Sequence, residues 1–217
     1  MNKENWYRNT IWNEEIEKEF ENRLKRSRGN YNKSQYLRIQ ATYLLSSSNE
    51  IFEKKGIELM ERVINFYSDE FDSITAKEQL GDFYFSKKDF VNAEYYFRIV
   101  TEYYYTKTRS GTSGLADLKL CELILLTNQK DKFKEAYKMG IEKFDREYLS
   151  FDNEKFYYNN LMANLCYAMN RKNEASKFAS IALELSKITR PKFSRHKMLG
   201  LVNATEEQIE KLKMILN

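Results

Sequence analysis

Proline occurs once in the 217 residues, at Pro191, and glycine only seven times. Sandwiches and barrels turn every few residues and use Gly and Pro to do so, so this scarcity argues against them and for long helices joined by short polar loops. Cysteine occurs twice, at Cys121 and Cys166, too few and too far apart for a disulfide framework or a zinc cluster. Histidine occurs once, at His196, among basic neighbours that repel cations. No metal or cofactor is expected. The chain has no P-loop, no Gly-x-Gly-x-x-Gly and no Gly-x-Ser-x-Gly elbow, so nucleotide binding and acyl-enzyme chemistry lack their usual sequence marks. No run approaches the ~18 apolar residues of a membrane helix. The longest apolar block, Leu120 to Leu126, is broken by Glu122. The first residues, Met1 to Arg8, contain no apolar core of a secretory signal, and a cytoplasmic location is expected.

What is present fits a helical protein. Apolar residues make up 42% and charged residues 31%, enough for both a core and a solvated surface. Sixteen Tyr and fourteen Phe fall largely in helical segments, where an aromatic ring fills gaps between helices and keeps a polar tip outward. The 36 basic and 32 acidic residues leave a net charge of +4, a balance too even to imply a nucleic-acid partner by itself. Two isolated thiols in apolar context suit a reducing compartment. The Lys-, Asn-, Ile- and Tyr-rich usage points to an AT-rich bacterial genome.

Periodicity divides the chain into helices. Trp12, Ile16, Phe20 and Leu24 form one stripe of a first helix that starts near Asn13 and stops at Gly29-Asn30. Its acidic residues lead and Arg23, Lys25, Arg26 and Arg28 follow, as the helix dipole favours. Further helices are expected over about 34–46, 50–67, 72–87 (capped by Asp72-Ser73), 90–105, 115–127, 132–144, 152–169 (capped by Asp152) and 172–186. The segment Thr106 to Gly114, rich in Thr, Ser and Gly, is the clearest loop. Pro191 ends the regular pattern and a short helix is expected near Ser194. The capping box Thr205 to Gln208 opens a last helix with Ile209, Leu212, Ile215 and Leu216 as its apolar stripe. One domain over 1–217 is expected: an N-terminal helix in 1–33, hairpins in 34–187 and a C-terminal cap in 188–217.

Paired helices at roughly forty-residue spacing prompt a search for repeats. Leu80-Gly81, Tyr84, Ala93 and Phe97 provide a large-small pair, a Tyr three residues on, a small residue twelve after Gly81 and an aromatic four further. This unit resembles the tetratricopeptide repeat (TPR), although the proline with which that family ends its repeat is missing, Tyr105 lying near that position. The physical basis is close helix approach at the small residues. Gly56, Ala93, Ala136 and Ala175 are spaced by 37, 43 and 39 residues, longer than the family's period of about 34. Gly140 and the alanines Ala163, Ala179 and Ala182 are further small positions of the degenerate units. The start of the chain, Trp6-Tyr7-Arg8 through Tyr36 to Gln40, is also similar to that of some small bacterial TPR proteins.

The resemblance implies an all-α, α-α superhelix of about four hairpins and a non-catalytic protein or peptide partner in a concave groove. The groove positions it implies are Arg38, Glu78, Asp82, Phe85, Tyr157, Asn160, Asn164 and Tyr167, with Leu118, Cys121 and Leu125 as an apolar patch at the same level. Either the superhelix closes over that patch or the patch binds the partner. Two other readings stay open. One is an immunity or antitoxin-like protein of a bacterial toxin system. The other is RNA binding, or RNA cleavage, through two basic clusters. The first is Arg23, Lys25, Arg26 and Arg28; the second surrounds Arg190 and His196, with five residues between them, and includes Lys187, Lys192, Arg195 and Lys197. That Arg…His spacing resembles the motif of HEPN-type ribonucleases, but Pro191 interrupts the helix the motif needs, so a non-enzyme is expected.

Overall fold

The computed structural model describes residues 5–68, 71–188, 196 and 198–217. The described residues are all-helical, without a strand. The elements are α1 (Glu14–Arg26), α2 (Asn30–Leu45), α3 (Glu50–Phe66), α4 (Phe71–Ser86), α5 (Phe90–Thr106), α6 (Ala116–Leu126), α7 (Phe133–Tyr137), α8 (Asp152–Ala168), α9 (Lys172–Ser186) and α10 (Glu206–Leu216). They gather into two compact units, Met1–Ala116 and Asp117–Asn217. The expected short helix near Ser194 lies outside the described residues, as do Arg190, Pro191, Lys192, Arg195 and Lys197 of the second basic cluster.

In the first unit α2 pairs with α3 and α4 with α5. Phe20, Leu24, Leu37, Ala41, Leu44, Leu59, Met60, Val63 and Leu80 are its buried centre. The helix starts follow local chemistry. Asn13 accepts from the Ile16 N–H to cap α1, Asn49 accepts from Ile51 and Phe52 to cap α3, and Asp89 accepts from Asn92 to cap α5. Asp72, expected as a cap, instead lies inside α4. It is buried and takes hydrogen bonds from Ser34 and Arg38 of α2. The helix thus begins earlier than its polar residues suggest, because those residues serve a helix–helix contact.

The segment before α1 is docked rather than trailing. Fully buried Gln40 receives the Asn9 backbone and side-chain N–H groups at 2.9 Å each, and its own amide donates to the Asn9 carbonyl at 2.8 Å. Trp6, Tyr7 and Trp12 then pack on the α1–α2 core. Glu17 pairs with Lys55 at 2.7 Å and Glu21 with Arg62, tying α1 to α3.

In the second unit α8 pairs with α9, and α10 packs on α9 through buried Leu212 and Ile215. The Thr205–Gln208 capping box is present, with Gln208 N–H donating to Thr205 Oγ at 3.2 Å and Thr205 N–H to Gln208 Oε1 at 2.9 Å. Ile209 is half-buried, but Leu216 is exposed, although Ile215 in the same turn is buried. Asp152 is the first residue of α8 rather than its cap; Glu154 reaches back to the Phe151 N–H at 3.0 Å.

The largest departure from expectation is α7. Only Phe133–Tyr137 is α-helical, and Lys138–Lys143 continues as a π-helix. Gly140 sits against α8 so closely that a Cβ would stand 2.8 Å from Met162 Cε, and Tyr158 donates to the Gly140 carbonyl at 3.1 Å. The wider turn carries one extra residue and presents that carbonyl to α8.

Candidate binding groove

The small residues of the repeat pattern sit at helix crossings. A Cβ on Gly81 would lie 2.7 Å from the Phe97 ring, and Ala93 is fully buried. On Gly56 it would lie 2.8 Å from Leu45 Cγ. These crossings close the α2–α3 and α4–α5 hairpins, whose first helices, α2 and α4, are themselves in contact in the first unit.

Between α2 and α4 lies a concavity of about 350 Å³. Leu45, Met60 and Phe83 give it an apolar floor, while Thr42, Gln79 and Asp82 supply polar edges. Thr42 and Gln79 face each other across it, with the hydroxyl 3.4 Å from Gln79 Oε1. The expected groove residues of this unit divide. Asp82 lines the concavity and is exposed. Arg38, one turn before Thr42, is engaged by buried Asp72. Phe85 packs edge-on against Phe90 and at a tilt against Phe97 inside its own hairpin. Glu78 is a correction. It is buried, and its carboxylate accepts from the Ser113 backbone N–H at 2.7 Å and hydroxyl at 2.5 Å. It anchors the 107–115 loop instead of facing a groove. Thr75 also donates to the Gly111 carbonyl, and Arg109 lies over the Tyr104 ring at 4.4 Å. The loop that composition marks most clearly is therefore tied to its unit.

Sequence reasoning missed Thr42, Leu45, Met60, Gln79 and Phe83. Four of them were within reach of helical spacing: Thr42 and Leu45 follow Arg38 on one face of α2, and Gln79 and Phe83 flank Asp82 on α4. Met60 comes from the second helix of the hairpin, and nothing in the pattern points to it.

In the second unit Leu118 and Cys121 are fully buried and Leu125 is half-buried, so the apolar patch is closed over, not open. Cys121 Sγ lies 3.3 Å from the Ala136 carbonyl. Burial pushes the Cys121 thiol well up, and the Cys166 thiol to about 11, so neither is a ready thiolate nucleophile. Tyr157 donates to Glu122 at 2.6 Å. Asn164 donates to the Asn160 carbonyl at 2.7 Å, while its own buried Oδ1 has no partner. Tyr167 is exposed on the next turn of α8.

The α7–α9 contact is a polar clasp. Tyr137 donates to Glu174 at 2.6 Å, Arg171 pairs with the same carboxylate at 2.6 Å, and the guanidinium covers the Tyr137 ring at 4.2 Å. The hydrogen bond to the Glu174 carboxylate raises the Tyr137 phenol to about 12 from its ordinary 10.0. A phenol whose value rises on folding contributes stability that is intact below pH 10 and is lost as pH climbs through 12. Tyr137→Phe is accordingly expected to shrink the drop in thermal midpoint across that interval, read by helical circular dichroism at stepped pH. An unchanged drop would mean that the clasp does not titrate.

Compared with family models, with curated proteins and with solved structures, the chain matches none. Among the described residues, no helix is long and apolar enough to cross a membrane.

Proposed function

We infer that this chain is a non-catalytic binding module that takes an extended segment of another protein into the α2–α4 groove. One observation carries the reading: a concavity of about 350 Å³ opens between the first helices of successive hairpins, with an apolar floor and separate polar edges. Apolar walls supply affinity and a few placed polar groups supply orientation, which is how clefts of this size select ligands. The likeness of Leu80 to Phe97 to a TPR unit supports the same reading, because that family uses the first helices of its hairpins to hold peptides. Two buried free thiols suit a reducing compartment, as expected for a cytoplasmic bacterial protein.

The test uses two substitutions on the exposed face of α4. Asp82→Lys reverses the edge charge, and Ser86→Trp, at an exposed residue that also lines the concavity, fills it. Wild type is expected to retain a specific protein from a lysate of the source cell. Each variant is expected to lose that capture at least about tenfold, as ~1.4 kcal/mol of lost contact would produce, while keeping its helical circular dichroism. Undiminished capture by both folded variants would remove the groove from consideration.

A further inference from the structure

Charge balance over the whole chain conceals a segregation. From Asn22 to Asn49 there is no acidic residue, yet six basic ones occur: Arg23, Lys25, Arg26, Arg28, Lys33 and Arg38. The remaining chain holds 30 basic residues against all 32 acidic ones. The positive net charge of the protein therefore resides in the end of α1, the Ser27–Gly29 turn and α2.

Two of the six charges are answered locally, Arg38 by Asp72 and Arg23 by Glu19 at 2.7 Å. Lys25, Arg26, Arg28 and Lys33 have no ion pair with any described residue. The dipole of α1 accounts for Lys25 and Arg26 in its last turn. It does not account for Lys33, which sits in the first turn of α2 where a cation is disfavoured. Lys25, Arg26 and Arg28 are exposed.

At the same end a concavity of about 490 Å³ is lined by Trp6, Tyr36, Arg23, Arg26 and Ser27. The Trp6 and Tyr36 rings stand 4.9 Å apart at 60° and are only partly buried, held from behind by Phe20 and Tyr7. The Asn9–Gln40 hydrogen bonds fix the segment that carries Trp6. An acidic peptide would be served by the cations alone. A wall that joins two aromatic rings to two guanidinium groups, with further cations along the chain, matches a ligand that alternates planar bases with phosphates. Duplexes hide their bases, so the fitting form is single-stranded.

We propose that the Trp6–Tyr36 pocket and its basic surround bind single-stranded nucleic acid, one base at the rings and the flanking phosphates on Lys25, Arg26, Arg28 and Lys33. This site is separate from the α2–α4 groove and does not depend on it.

Trp6 and Trp12 are the two tryptophans of the chain, so Trp12→Phe leaves Trp6 as the sole reporter. Short oligouridylate and oligoadenylate are titrated into this variant, with heparin and polyglutamate as anions that lack bases. Both oligonucleotides are expected to quench Trp6. Four phosphate contacts predict a log-affinity against log-salt slope of about −3, and Lys25→Ala with Arg28→Ala should bring it to about −1.5. Tyr36→Leu should weaken oligonucleotide binding about tenfold with the slope unchanged. Should that variant unfold, exposed Arg26→Ala serves in its place, with the slope expected to fall by about 0.7. The proposal is overturned by no quenching at low salt. Heparin or polyglutamate binding as tightly as the oligonucleotides would also overturn it, as would a slope indifferent to the lysine and arginine changes.

Discussion

Replacing Arg38 by methionine is expected to destabilise the first unit by about 3 kcal/mol or more, because it strands a buried carboxylate. Asp72 is 2% exposed, and among the described residues its partners are the Arg38 guanidinium and the Ser34 hydroxyl at 3.2 Å. Without the guanidinium, one neutral donor faces a charge that water does not reach. Methionine keeps the unbranched length of the arginine stem, so the loss reports the charge rather than a cavity. Removing both charges, as Arg38→Met with Asp72→Leu, should recover much of the loss, since an apolar pair of similar volume often matches a buried ion pair. Urea unfolding followed by tryptophan fluorescence is the measurement. Trp6 and Trp12 both pack on this unit's core, so the signal belongs to it. Retained stability together with lost partner binding would return Arg38 to the role that the sequence resemblance implied.

The case of Arg38 shows where the sequence is legible and where it is not. Helix positions follow from apolar periodicity and caps, and Asn13, Asn49, Asp89 and Thr205 each cap as their residue type predicts. These are local effects, decided within a turn of the chain. The site depends on pairings between residues that lie 34 to 38 positions apart, such as Arg38 with Asp72, Glu78 with Ser113 and Ser34 with Asp72. A charged residue on an expected groove face looks the same in sequence whether it meets a ligand or a neighbouring helix. Glu78 met a loop, Arg38 met Asp72, and Asp82 alone of the three charges lines the concavity. The apolar Leu118–Cys121 face shows the reverse ambiguity: its residues read equally as core or as patch until neighbours are placed, and they are buried. The π-helix after Tyr137 was illegible for the same reason, since the contacts of Gly140 with Met162 and Tyr158 lie on the next hairpin.

The large-small pair at Leu80-Gly81 marks a close helix crossing, and Gly81→Val tests that crossing energetically. The first side-chain carbon would stand 2.7 Å from two atoms of the Phe97 ring, inside contact distance. Phe97 is fully buried and also packs on Phe85, so its ring has little room to turn away. Replacing a helical glycine ordinarily gains up to about 1 kcal/mol, less for a β-branched residue. Overpacking a filled core costs about 1–3 kcal/mol. The packing effect should win, with a net loss of about 2 kcal/mol for valine and a smaller loss for alanine, whose helix preference offsets part of the clash. The decisive comparison is the double variant. Phe97→Leu alone should destabilise by opening a cavity, yet Gly81→Val with Phe97→Leu should cost less than the two single losses together, because each change makes room for the other. Strict additivity in the urea midpoint followed by tryptophan fluorescence would show that the ring and the glycine do not share a packing site. It would also remove the physical basis for reading Leu80 to Phe97 as a repeat unit at all.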